Sequence, residues 1–425
     1  MRGSTRAIAG WLAACVLLAG LVAGCGSKGD NSSGGSSGGG SASVKTDKGV
    51  TAKQITLGAL TDLSGVFAAL GKPIVQGTNM FWTQQNNKGG VCGRKVKVIV
   101  KDHGYDPQKA VVQYRDLSTN VVGLQQLLGS PITAALLPTL KNDSMLSMLA
   151  AWPSSLLSND FIIEIGASYD IEMINGLDKL LQDGKLKKGD KIGHVYFEGE
   201  YGENGLKGSK AFASQNGMTV VEQKIKATDE DMSGQVAALK RAGVKAIALT
   251  TAPTQMASVA GIAASQGLNV PLVGNNPTFD PALLKTPAAK ALVANAYIVS
   301  SASPFNGDGT ETKQVASAYT KQFPNETPKA SVQFGYAQGQ VMYEALKKAC
   351  ESKDLTRAGL VKAARTLSNV DLGGLTAGPL DYSKVGQPSS RVVYISRPAK
   401  VPGGLKTEPN TVESDEAKSY NVAAQ

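Results

Sequence analysis

The sequence predicts an α/β protein built on parallel central sheets, and three observations support this. Short apolar runs recur along the chain: ITLGAL (Ile55–Leu60), VKVIVKD (Val96–Asp102), LQQLLG (Leu124–Gly129), KIGHVYF (Lys191–Phe197), TVVEQKI (Thr219–Ile225), AIALTT (Ala246–Thr251) and VPLVG (Val270–Gly274). Helical patterns separate most of them, and strand–helix–strand alternation implies a parallel sheet covered on both faces. The roughly 380 residues after the amino-terminal region are too many for one ordinary core, so two such domains are expected, with a ligand cleft between them.

The elements follow in chain order. Arg2 and Arg6 precede an almost wholly apolar stretch, Ala7 to Gly24, and small residues Ala23 and Gly24 lead to Cys25, the pattern of an export signal. Val22-Ala23-Gly24-Cys25 resembles the lipobox of bacterial lipoproteins, in which the cysteine is acylated and begins the mature chain. That reading is favoured over an uncleaved membrane anchor, because small residues meet a cysteine where a stop-transfer signal would carry positive charge. Gly and Ser then dominate to Ser43, forming a flexible tether. A formal G-x-S-x-G match at Gly34–Gly38 lies inside this tether and is a product of composition, since a nucleophile elbow needs a strained turn between strand and helix.

In the body of the chain, TDLSGVFAALG places Ser64 and Gly65 in the turn after the first strand, where simple turn chemistry would also suit them. Asp106 and Pro107 suit the cap and first position of a helix, and DMSGQVAALKRAG reads as a helix that stops at Gly243. In LLGSPITAALLP, Ser130 can cap a helix beginning at Pro131 and offer backbone N–H groups and a hydroxyl to an anion. An ordinary helix cap would use the same residues.

Composition narrows the chemistry. The precursor charge is +10, and removal of Arg2 and Arg6 leaves 10 − 2 = +8. The lysines are scattered and no aromatics interleave with them, so nucleic-acid binding is not expected; a basic surface near an anionic membrane is. Only Cys92, Cys350, His103 and His194 remain after the signal and Cys25, with no zinc-ligand spacing, so neither metal nor cofactor is expected. In an oxidising compartment the two thiols favour a Cys92–Cys350 disulfide over two separate buried thiols.

A specific resemblance joins these observations. LGALTDLSGVFAALGKPIVQG, NNKGGVCGRKVKVIVKDHGYDPQKAV, YGENGLKG at Tyr201 and GYAQGQVMYEAL at Gly335–Leu346 occur in the order found in the branched-chain amino acid (Leu/Ile/Val) binding protein family. These are type I solute-binding lipoproteins of ABC transporters. The resemblance implies two Rossmann-like lobes with parallel central sheets joined by a three-crossover hinge. The crossovers would lie near Ala167–Asp170, Ser300–Ser303 and Gly378–Leu380. The expected organisation is a signal peptide at 1–24, a lipidated Cys25 and tether at 25–50, lobe 1 at 51–168 and 301–378, lobe 2 at 169–300 and 379–402, and a flexible tail at 403–425.

The resemblance also implies site residues. Ser130 with Trp152, Pro153 and Ser154 would hold a ligand carboxylate, and Tyr201 would close over the ligand from lobe 2; Ser64, read from its place in the turn after the first strand, is a further expected ligand contact. Amino-acid binders of the family present an acid to the ligand ammonium where this chain reads VGNNPTF, with Asn276 at the matching position. An amide holds a desolvated ammonium less well than a carboxylate, so the departure points toward acids or amides unless Asp280 or Glu203 supplies the charge. A second family aromatic, near Ala252 or Pro253, is also missing.

The expected protein is thus an extracytoplasmic, lipid-anchored monomer that captures a small polar solute (amino acid, amide or carboxylic acid) and delivers it to an ABC permease. The alternatives are a ligand-sensing lipoprotein and, less favoured, an exported hydrolase. Against the hydrolase stand the absence of a nucleophile elbow outside the tether and of any histidine or metal-ligand cluster.

Overall fold

The computed structural model describes residues 44–422. The signal segment, Cys25 and the tether to residue 43 lie outside the described residues. Strand Gln54–Thr61 belongs to a five-stranded parallel sheet with the order 95–102, 54–61, 123–128, 147–150, 162–163. Every residue of that strand from Ile55 onward is buried, as expected of a strand between two helical layers, and this is why it reads as a nearly continuous apolar run.

The second sheet has seven strands in the order 405–407, 394–398, 296–300, 272–275, 246–250, 191–197, 219–225. Its five strands from 296–300 to 219–225 are parallel, and the other two are antiparallel additions. Thr219–Ile225, at the edge, is exposed or partly covered up to its last residue, Ile225, while Ala246–Thr250 inside the sheet is buried throughout.

Helices Ala68–Asn87 and Ala330–Glu351 pack closely beside the first sheet because two glycines allow it. A Cβ on Gly77 would lie 2.1 Å from the Val332 carbonyl oxygen, and one on Gly335 would lie 2.1 Å from that of Ile74. Cys92, in the turn after the first of these helices, is disulfide-bonded to Cys350 near the end of the second. The link closes a separation of 258 residues, worth ~4–5 kcal/mol in the chain-entropy account.

The chain passes between the lobes three times, and the passages are hydrogen-bonded to one another. The Gly166 N–H donates to Ser389 Oγ (2.8 Å), the Ala167 N–H to Ser301 Oγ (2.7 Å), and Ser301 Oγ to the Val392 carbonyl (3.2 Å). The third passage therefore lies near Ser389–Val392, later than the expected Gly378–Leu380. The intervening segment stays with the first lobe: Leu380 pairs with Val370, the Tyr382 N–H donates to the Leu367 carbonyl, and the Gly386 N–H donates to that of Leu157.

Both ends differ from expectation. Lys45–Thr46 pairs in parallel with Asp354–Leu355, so the folded body begins before residue 51. Residues 403–422 do not form a loose tail. Leu405–Thr407 adds a strand, and helix Asp415–Ser419 lies against helix Tyr169–Gln182, held where Arg391 donates to the Ala417 and Tyr420 carbonyls. Its anchors Leu405, Ala417, Tyr420 and Val422 are buried but too widely spaced to give a periodic signal.

Candidate ligand-binding cleft

The cleft is built from the carboxyl ends of strands in both lobes, where open α/β sheets place ligands. After strand Gln54–Thr61, the Asp62 carboxylate accepts N–H bonds from Ser64, Gly65 and Phe67 (3.1, 2.5 and 2.9 Å), and this tight loop turns the Phe67 ring into the cleft. The Ser64 hydroxyl is used elsewhere: it donates to Asp102 (2.7 Å). Burial pushes the Asp102 carboxyl up, but bonds from the Leu63 N–H, Ser64 and the Gly104 N–H outweigh this and hold it below its ordinary pKa.

Strand Gly123–Leu128 leads through Gly129, at φ +104°, into helix Ser130–Asn142. Gly129 takes the cap position and Ser130 becomes the first helical residue, so the helix begins one place earlier than expected. The Ser130 side chain therefore does not cap its own helix. It is 1% exposed, and its hydroxyl makes no hydrogen bond of normal geometry, although it lies near enough to the Tyr169 phenol to influence it. A buried hydroxyl at the positive end of a 13-residue helix is suited to donating to a carboxylate.

Around Ser130 stand rings from both lobes. Phe67 lies 4.8 Å from Tyr105 and 6.1 Å from Tyr201, and Tyr201 lies 4.7 Å from Tyr169, centroid to centroid. With Leu128, Leu70 and Pro277 they line a small chamber. Phe67, Leu70 and Pro277 also wall a larger chamber, lined in addition by Val66, Trp152, Phe279, Phe334 and Leu405 and by the polar residues Asn276, Asp280 and Lys329. The two chambers share Phe67, Leu70 and Pro277 as walls, and Ser130 lines the smaller one. The lobes are closed over it, since Phe67 of the first meets Phe197 and Tyr201 of the second.

The residues expected at the site divide into two groups. Ser130, Trp152, Tyr201 and Asn276 line the chambers. Ser64 and Ser154 are committed to protein partners, and Pro153 does not line either chamber. Ser154 donates to Asp170 (2.6 Å) and accepts from Asn204 (2.8 Å), within the hinge. The Trp152 indole N–H donates to the Ile165 carbonyl (3.0 Å), so this side chain offers the cleft only its apolar face. Likewise the Tyr201 hydroxyl donates to the Thr251 carbonyl (2.9 Å), and burial pushes its phenol pKa well up. Tyr201 is a ring in the wall with its polar end turned into lobe 2.

The acids that could have replaced the missing family carboxylate are both occupied. Asp280 accepts from Lys329 (2.6 Å) and from the Ala282 N–H (2.8 Å), and Glu203 pairs with Lys224 on the surface (3.2 Å). Glu172 lies behind Asn276, but its carboxylate accepts the backbone N–H groups of Asn276 (3.0 Å) and Ser301 (3.3 Å). Sequence reasoning missed Phe67, Tyr105, Tyr169, Phe334 and Lys329 as lining residues. Phe67 stands in the turn TDLSGVF, and Tyr169 in the first crossover; for Lys329 the sequence offers only its place before the long helix of GYAQGQ.

Two lobes, a three-passage hinge and a cleft closed between the lobes define a type I periplasmic binding protein. The family model described as "Periplasmic binding protein" matches residues 54–399, and the chain belongs to that family. Its members and structural neighbours are solute-binding proteins rather than enzymes, and so is this protein. It is similar to a fatty acid ABC transporter substrate-binding protein from Thermomonospora curvata, with 44% identity and TM-score 0.87 over 89% of this chain and 97% of the other. A branched-chain amino acid ABC transporter structure from Thermus thermophilus with bound valine shares the fold at 18% identity and TM-score 0.77, over 86% and 98% of the two chains. A Leu/Ile/Val-binding protein homolog from Brucella suis is 28% identical over 46% of this chain; the match spans about half (52%) of that relative's length. The family is extracytoplasmic, and among the described residues no helix is long and apolar enough to cross a membrane.

Proposed function

We propose that this protein is the solute-binding lipoprotein of an ABC importer and that its solute is an aliphatic monocarboxylic acid. The carrying observation is the polarity of the cleft: the Ser130 hydroxyl, buried at a helix start with no hydrogen bond of normal geometry, then walls dominated by aromatic and aliphatic side chains whose two charges are paired with each other. The ligand carboxylate accepts from Ser130 and the helix N-terminus, and the chain runs past Phe67, Leu70 and Pro277 toward Phe279, Phe334 and Leu405. An α-amino acid would bring an ammonium into a wall whose acid is already paired with Lys329. The similarity to a protein named for fatty acids supports the same reading. Acylation at Cys25 would hold the trap at the membrane, and the Gly/Ser tether would give it reach to a permease.

Thermal-shift measurements against butanoate to dodecanoate, leucine, valine and urea test this proposal. Ligand at 100 times its Kd stabilises by about 2.7 kcal/mol, a readable rise in melting temperature. The expected result is a rise with the aliphatic acids that grows with chain length and then levels off. A rise confined to leucine or valine would contradict the reading. Replacing Cys25 by Ser is expected to move the protein out of the membrane pellet; unchanged sedimentation would remove the anchor from the account.

A further inference from the structure

The larger chamber contains two charged side chains among its lining residues, and they belong to different lobes. Lys329 precedes the long helix of lobe 1, and Asp280 starts a short 3-10 turn of lobe 2. The ammonium lies 2.6 Å from Asp280 Oδ2, with the side chains 20% and 9% exposed, and it also donates to the Ala69 carbonyl (3.3 Å). Asp280 Oδ1 accepts the Ala282 N–H (2.8 Å). Each charge is thus largely withdrawn from water and answered by the other. Every other lining residue is uncharged.

We propose that Lys329 and Asp280 are specificity-determining residues that make the outer chamber electrically neutral, reserving it for an uncharged chain. The inference rests on the proposed binding of an aliphatic acid with its carboxylate at Ser130. Breaking a mostly buried ion pair from one side leaves an uncompensated charge, which is strongly unfavourable unless a new partner arrives. With Lys329 removed, Asp280 becomes a free carboxylate in the chamber wall and recruits an ammonium from the far end of a ligand. With Asp280 neutralised, Lys329 recruits a second carboxylate. The same pair joins the lobes, so either loss also weakens closure and lowers affinity for the simple acid.

Calorimetric titration of the purified full-length protein with octanoate, octanedioate and 8-aminooctanoate tests the assignment. For the native protein, octanoate is expected to bind most tightly. Lys329→Met is expected to raise the ratio of 8-aminooctanoate to octanoate affinity at least tenfold, and Asp280→Asn to raise the octanedioate ratio similarly. The exchanged pair, Lys329→Asp with Asp280→Lys, is expected to return both ratios toward native values and provides a neutral chamber if a single variant folds poorly. Native octanoate binding with both ratios unchanged in the variants would overturn the charge assignment and leave the proposed ligand class intact. No octanoate binding by the native protein, with 8-aminooctanoate binding to Lys329→Met, would overturn the ligand class but not the assignment. Absence of binding in every combination would overturn both.

Discussion

The hinge and the cleft lie side by side and handle polarity in opposite ways. In the hinge, Asp170 accepts from Ser154 (2.6 Å), Ser168, the Ile171 N–H (2.8 Å) and Asn204 (3.3 Å), and Glu172 accepts two backbone N–H groups. In the cleft, Ser130 is as deeply buried and has no hydrogen bond of normal geometry. A saturated buried network fixes architecture, because each bond left unmade would carry a desolvation cost. An unsaturated group beside a cavity is available to a ligand. The same residue type thus takes different roles: Ser154 is structural and Ser130 is presented to the cleft.

The sharpest way to break this contrast is to remove the centre of the hinge network. Asp170→Ala leaves several buried donors without an acceptor and is expected to lower unfolding stability by roughly 3 kcal/mol or more in urea titration. An unchanged denaturation midpoint would mean that the network does not carry the hinge. Ser130→Ala is expected to do the reverse. Losing a hydrogen bond to a charged group costs roughly 1.5–3 kcal/mol, so affinity for an aliphatic acid should fall about 10- to 100-fold with melting temperature unaltered. Equal affinities for both proteins would place the carboxylate elsewhere.

Glu164 is the exception within the hinge and sharpens the comparison further. It is 1% exposed, and neither carboxyl oxygen has a hydrogen-bond partner. Burial, reinforced by Asp170 and Glu172, pushes its pKa well above the ordinary value. Between the ordinary and the raised value the folded state holds a proton that the unfolded state has lost, so this group lowers stability as pH rises through that window. Glu164→Gln cannot lose a proton and is expected to raise the melting temperature by a few degrees at pH 8, with little change at pH 4. A smaller benefit at pH 8 than at pH 4 would reverse the sign and refute the buried neutral acid. The smallest effect is expected at Ser64, whose hydroxyl serves Asp102: Ser64→Ala should change ligand affinity by no more than about 0.5 kcal/mol. A larger loss of affinity in titration would bring Ser64 into the site.

Much of the fold was legible because periodicity records burial directly. The seven apolar runs correspond to the strands beginning at Gln54, Lys95, Gly123, Lys191, Thr219, Ala246 and Leu272. Short strands such as Ile162–Ile163 and Leu405–Thr407 left no comparable mark, since two or three residues cannot establish a period. The site was legible only in part. Ser130 and Tyr201 could be placed by motif, but the direction of a side chain depends on partners far away in sequence. Ser154 turns toward Asp170 and Asn204, Tyr201 turns its hydroxyl to Thr251, and Lys329 meets Asp280 across 49 residues. Such pairings arise from tertiary placement, and no local spacing encodes them.

In the proposed binding mode the cleft holds a carboxylate at Ser130 and an uncharged chain between the lobes. The most direct measurement is a crystal structure of the protein with octanoate. The expected complex has a carboxylate oxygen within hydrogen-bond distance of Ser130 Oγ, the alkyl chain against Phe67, Phe279 and Phe334, and the Lys329–Asp280 pair intact. A carboxylate bound instead to Lys329, with Asp280 displaced and the chain among Tyr105, Tyr169 and Tyr201, would contradict it.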